Sequence, residues 1–276
     1  MSAVGRVRGR GVRPAVALLL ALTLGSSSTS SDDTPSSGGA SAATSSAPDP
    51  TEAVRSRCGS AMPKSTGVEA SALDGASGGS VEVVRIGPAR SRAVAVLLPQ
   101  TSGICGWGPW AGTVAATGVT SLLVSPCGYG ESECPPEADA DPLNEVAAAA
   151  AYARSELGAR RVVLVGTSMG GSLTVVAAAA GADVDAWVDV SGPDEWFPDR
   201  PLHELAPTLR ERAPGMVVYA HSEGSVDFGL ARDLAQGAGA RFVPADSGHG
   251  YDLLTDVDGA LTRMGRAVLA FAAATG

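Results

Sequence analysis

The stretch Val162-Val163-Leu164-Val165-Gly166-Thr167-Ser168-Met169-Gly170-Gly171 decides the architecture of this 276-residue chain. Its first four residues, apolar and mostly β-branched, predict a strand buried on both faces, and the Ala-rich residues 169–180 predict a helix. G-x-S-x-G joins the two. Small residues are needed at 166 and 170 because the turn is so tight that side chains would collide, and the serine is forced into a strained conformation with its hydroxyl above the sheet. Ser168 also opens the helix, where backbone N–H groups favour developing negative charge. Ser168 is therefore the candidate nucleophile.

The alternation of strand and helix continues on both sides. Residues 81–86 alternate with period two, and apolar or β-branched runs occupy 93–98, 119–124, 186–190, 216–219 and 241–243. Residues 110–117, 142–157, 201–212, 227–237 and 257–274 have helical character, and Asp141 with Pro142 suits a helix start. This order predicts an α/β fold, a doubly wound and mostly parallel sheet in a single domain.

A serine hydroxyl is a weak nucleophile and needs a base. Of three histidines, His249 stands in Asp246-Ser247-Gly248-His249-Gly250, a loop between the last strand and the last helix, where the order Ser, acid, His places it. His203 reads as a surface residue in a helix and His221 as a strand-end residue near the site. The acid should follow the strand at 216–219, to orient the imidazole and stabilise its cation. Glu223 has the right setback; Asp227, which otherwise caps the next helix, and Asp194, after the preceding strand, remain alternatives. The oxyanion needs two backbone N–H donors. Met169 supplies one, and the loop Pro99-Gln100-Thr101-Ser102-Gly103 supplies the other, from Thr101 or alternatively Gln100.

Composition narrows the partners. With 45% hydrophobic residues the chain can build a substantial core, and its net charge of -9 leaves no electrostatic footprint for nucleic acid or anionic lipid. Arg6, Arg8, Arg10 and Arg13 precede a short apolar run at 15–24 and then Gly25-Ser26, which reads as a signal peptide over residues 1–25. That run is too short to span a bilayer, so no stable membrane insertion is expected after cleavage. Leu22-Thr23-Leu24-Gly25 resembles the approach to a lipoprotein cleavage site, but no cysteine follows it. The expected location is secreted or cell envelope, with free secretion favoured over anchoring. Residues 26–53, rich in Ser, Ala and Pro, read as a flexible tether, and 54–276 as the folded domain. The four cysteines, Cys58, Cys105, Cys127 and Cys134, suggest two disulfides with three possible pairings. Cys127 with Cys134 closes a small loop, which would leave Cys58 with Cys105.

From about residue 81 to 274 the sequence resembles the α/β-hydrolase superfamily. The resemblance rests on the nucleophile elbow around Ser168, on Ser125-Pro126-Cys127-Gly128-Tyr129-Gly130-Glu131-Ser132, similar to the family's strand and G-x-G-x-S turn, and on Gly248-His249-Gly250. Trp107 and Trp110 also sit where the family often has an aromatic. Two positions depart from it: Pro99-Gln100 replaces the usual His-Gly, and the acid aligned with the usual Asp is Glu223. Between 191 and 216 there is room for one helix and no elaborate cap, as in dienelactone-hydrolase-like proteins and small carboxylesterases; Trp196 and Phe197 there either line a pocket or pack in the core. The resemblance implies an enzyme that cleaves small-molecule carboxylic esters through an acyl-enzyme formed on Ser168, with no cofactor or metal. Peptidase or acyltransferase chemistry on the same triad, and a non-catalytic exported binding or envelope protein, are the competing expectations.

Overall fold

The computed structural model describes residues 49–64 and 67–274. The expected signal segment and the expected tether up to residue 48 lie outside the described residues. Helix α1 (Pro50–Cys58) begins before the expected boundary at Val54. Asp49 accepts a hydrogen bond from the Thr51 N–H at 2.8 Å, Pro50 fills the first turn, and Val54 is buried against the sheet.

A hairpin of β1 (Val68–Asp74) and β2 (Ser80–Ile86) leads to β3 (Ala93–Leu98), α2 (Gly108–Ala115) and β4 (Thr120–Val124). The short α3 (Pro136–Asp139) and then α4 (Asn144–Ser155) precede β5 (Arg161–Thr167) and α5 (Met169–Ala180). The chain continues through β6 (Ala186–Val190), α6 (Ala206–Arg210), β7 (Gly215–Ala220), α7 (Ser225–Ala238), β8 (Arg241–Ala245) and α8 (Arg263–Ala273). The eight strands form one sheet in the order β1-β2-β4-β3-β5-β6-β7-β8. Pairing is antiparallel at β1–β2 and β2–β4 and parallel elsewhere, so the architecture is the expected doubly wound α/β sheet.

The central strands are buried on both faces, which is why they read as unbroken apolar runs. One core cluster packs Trp107, Trp110 and Val268 against one face of the sheet. The others place Val146 and Ala149 of α4, Val176 of α5 and Leu234 of α7 against strand residues that alternate with the first set. Trp107 and Trp110 meet edge to face at 5.7 Å, and their N–H groups donate to the Leu98 and Gly265 carbonyls.

Three elements differ from the sequence reading. The helix expected over 257–274 begins only at Arg263, because the Asp256 carboxylate accepts from the Asp258 and Ala260 N–H groups and closes a turn first. Residues 202–210 form a 3₁₀ turn followed by one turn of α-helix in place of a continuous helix. At 141–143, Asp141 accepts from the Leu143 N–H in a turn, and α4 starts two residues after Pro142. The disulfides are Cys58–Cys105 and Cys127–Cys134. The first fastens α1 to the chain just beyond the loop at 99–103; the second closes the loop after β4.

Candidate active site

The elbow around Ser168 is built by steric exclusion. A methyl group on Gly166 would lie 1.8 Å from the Gly170 carbonyl oxygen, and one on Gly170 would lie 2.3 Å from the Leu98 carbonyl oxygen. With both positions bare, β5 turns directly into α5, and Ser168 is left at φ 51°, a region that L side chains rarely enter. Its N–H donates to the Val190 carbonyl at 2.8 Å, which holds the strained turn against β6. Ser168 is partly exposed, while the residues on either side of it are buried.

Glu223 follows β7 in a short 3₁₀ turn, and its carboxylate receives the His249 Nδ1–H at 2.6 Å. That bond leaves Nε2 as the ring nitrogen able to accept a proton. The other Glu223 oxygen accepts from the Ser191 hydroxyl at 2.7 Å and from the Ala220 N–H at 3.2 Å. The Glu223 side chain is nearly buried and that of His249 half exposed, so the acid is shielded and the imidazole reaches solvent. Glu223's hydrogen bond raises the imidazole pKa above its usual value, outweighing the opposing effect of partial burial, and the charges of Glu223 and Asp252 add to the rise. Among the described residues, no hydrogen bond joins Ser168 Oγ to His249. The two loops are nevertheless neighbours: a methyl on Gly250 would lie 3.7 Å from Thr167 Cβ.

The other candidates for the acid are engaged elsewhere. Asp194 accepts from the His203 ring at 2.7 Å and from the His203 N–H at 2.8 Å, while the Leu202 N–H donates to the Asp194 carbonyl at 3.0 Å. This staple closes the base of the loop at 195–201 and makes His203 a hydrogen-bonded residue rather than a free surface one. Asp227 stands in the first turn of α7, whose cap is Gly224, so it is not the capping residue. It lines the same cleft as Glu223 and His249 without hydrogen bonding to either. His221 lies exposed at the end of β7 and stacks on Phe228 at 3.8 Å.

For the oxyanion, the first turn of α5 leaves the Met169 N–H unpaired among the described residues. The Gln100 N–H donates to the Tyr251 hydroxyl at 3.3 Å, whereas the Thr101 N–H is unpaired among the described residues. Tyr251 in turn donates to the Gly103 carbonyl at 2.8 Å, so one hydroxyl clamps both ends of the 100–103 turn. Burial raises the Tyr251 pKa and keeps that hydroxyl protonated. The close approach of Gly170 to Leu98 and Pro99 presses the start of α5 against this loop, bringing the Met169 and Thr101 segments together.

Sequence reasoning missed two positioning residues, Ser191 and Tyr251. Ser191 lies buried at the end of β6 with φ 60°; it donates to Glu223 and accepts the Gly250 N–H at 3.1 Å. It thus ties the acid to the histidine loop. The available signal was Ser191-Gly192-Pro193 directly after an apolar strand, a sharp turn much like the one at Ser168.

Neither a protein-family model nor a curated protein matches the sequence. Solved structures do match the fold. A Xanthomonas campestris α/β serine hydrolase without a lid is 17% identical, with a TM-score of 0.56 over 78% of this chain and 99% of that one. A predicted CIB-like hydrolase from Thermoplasma acidophilum is 18% identical, with a TM-score of 0.56 over 75% of this chain and 98% of its own. A Pyrococcus furiosus esterase is 11% identical, with a TM-score of 0.57 over 68% and 85% respectively. Their shared architecture, together with the elbow and the eight-stranded sheet described above, gives this chain the α/β-hydrolase fold.

Proposed function

We propose that the protein is an exported serine hydrolase acting on small carboxylic esters. The observation that carries this reading is the 2.6 Å His249–Glu223 pair set beside a serine held at φ 51° on the nucleophile turn. Ser168 Oγ attacks the ester carbonyl carbon while His249 Nε2 takes its proton, and Glu223 steadies the resulting imidazolium. The Met169 and Thr101 N–H groups receive the oxyanion. His249 returns the proton to the departing alkoxide; water then repeats the sequence on the acyl-enzyme and frees the acid and Ser168. Esterase and serine-hydrolase chemistry on structurally similar proteins is consistent with this choice. Export draws support from the two disulfides, and no helix among the described residues is long and apolar enough to cross a membrane.

A non-catalytic binding protein on the same fold is the second reading, favoured by the missing Ser168–His249 hydrogen bond and by Pro99-Gln100. Hydrolysis of short p-nitrophenyl esters, with Ser168→Ala as control, separates the two. Turnover abolished by Ser168→Ala supports the hydrolase. Absence of turnover, together with no labelling of Ser168 by a fluorophosphonate, leaves the binding protein.

A further inference from the structure

Helix α5 turns one face toward a cavity of about 410 Å³, a volume suited to a small ligand. Its floor is Met169, Leu173 and Val176, spaced one and two turns apart on α5, and Met169 is the residue that follows Ser168 in the chain. Trp196 and Phe197 supply an aromatic wall from the β6–α6 connection. Trp196 is 40% exposed and is the only aromatic among the exposed large hydrophobic residues described.

The rim is anionic. Asp139, Asp141 and Glu145 stand on one side and Asp199 beside the aromatic wall, against the single guanidinium of Arg200. Burial pushes the Glu145 carboxyl up from its usual range, and the charges of Asp139 and Asp141 push the same way, against the Cys127 N–H that it accepts at 2.7 Å. Asp141 is held ionised by the Ser77 hydroxyl and the Leu143 N–H. A positive charge entering here relieves carboxylate repulsion and meets the Trp196 indole in the lining; a negative charge meets repulsion in a partly enclosed site that salt screens incompletely.

Building on the esterase reading above, we propose that this cavity receives the apolar group flanking the ester bond and selects it by charge, preferring an alkylammonium-bearing group to its neutral isostere and rejecting the anionic one. The cavity floor provides the apolar contact, and the rim provides the discrimination.

The test uses three benzyl-type esters bearing trimethylammonium, tert-butyl or carboxylate at the para position, prepared with the substituent on the acyl side and again on the alcohol side. Each kcat/KM is divided by the hydroxide-catalysed rate, which removes intrinsic reactivity. The expected order is cation, neutral, anion, with a cation-to-anion ratio of about tenfold at low ionic strength that shrinks with added salt. Asp139→Asn/Glu145→Gln should bring that ratio toward one, and the exposed single substitution Asp139→Asn should move it part of the way. A ratio at or below one with turnover intact overturns the charge selection and leaves the esterase reading standing, as does a ratio unmoved by both variants. If none of the esters is hydrolysed and Ser168 takes no fluorophosphonate, the esterase reading itself has failed.

Discussion

Two serines carry positive φ among the described non-glycine residues, and they stand at the ends of adjacent parallel strands: Ser168 after β5 and Ser191 after β6. Backbone held in this region costs on the order of 1–3 kcal/mol, which surrounding contacts must offset. At Ser191 those contacts are the Val218 carbonyl, Glu223 and the Gly250 N–H. Removing the hydroxyl frees both the acid and the histidine loop, and misplacement on the scale of 1 Å costs about 10²-fold in rate. Ser191→Ala should therefore lose about 10- to 100-fold in kcat/KM. Ser191→Gly should lose as much although it relieves the backbone; retained activity in the glycine variant would show the hydroxyl to be idle. The imidazole itself must be neutral to accept the serine proton. Because its folded pKa lies above the ordinary value of about 6.5, the acidic limb of kcat/KM should fall above that pH. Glu223→Gln removes the main cause of the rise, so the limb should move to lower pH while kcat drops by about 10²-fold or more. A third group lies behind the elbow. Burial pushes the Asp189 carboxyl up to about 7; the Gly192 N–H opposes this, and Glu223 and Asp194 reinforce it. Unfolded Asp ionises near 3.9, so between about pH 4 and 7 the unfolded chain binds fewer protons than the folded one. Stability at this position falls as pH rises through that window, and Asp189→Asn should flatten the fall in denaturant midpoints measured at pH 5 and pH 8. Ser168 was legible in the sequence because its constraints are local glycines. At Ser191 only the sharp turn was legible and not its role, since its partners lie 32 and 59 positions away along the chain.

Among the elements, legibility followed burial. Strands β3 to β7 sit in the interior of the mostly parallel sheet and announce themselves as apolar runs. At the edge, β1 has a mainly exposed or half-buried pattern and too few apolar residues to stand out. Helix α1 was hidden by the polar stretch before it, although Asp49-Pro50 is a legible start signal. The Cys58–Cys105 bridge joins this inconspicuous helix to the segment behind the Thr101 turn, so one covalent link serves both the fold and the loop proposed to hold the oxyanion. It spans 47 positions, against 7 for Cys127–Cys134. By loop entropy the first is worth about 4 kcal/mol and the second about 2.5 kcal/mol. Cys58→Ser/Cys105→Ser should accordingly lower the thermal midpoint further than Cys127→Ser/Cys134→Ser. It should also reduce kcat at temperatures where both variants remain folded, because the Thr101 donor loses its anchor. Equal midpoints and unchanged kcat would assign the bridge no such part.

At the scale of the whole molecule, every group assigned to bond breaking in the proposed mechanism comes from a strand end or from a loop held by the sheet: the turns after β3, β5 and β7 and the loop after β8. This is the rim of an open α/β sheet, where helix N-termini and loop N–H groups converge. The loop at 195–201 is different. It contributes no reacting group, yet it supplies the aromatic wall of the cavity, and its base is shut by the Asp194–His203 staple. On the proposed reading, the reacting groups and the aromatic wall come from different stretches of the chain, while Met169 serves both the oxyanion and the cavity floor. Exchanging residues 195–201 should therefore change which esters the proposed hydrolase accepts while leaving Ser168, Glu223 and His249 in place.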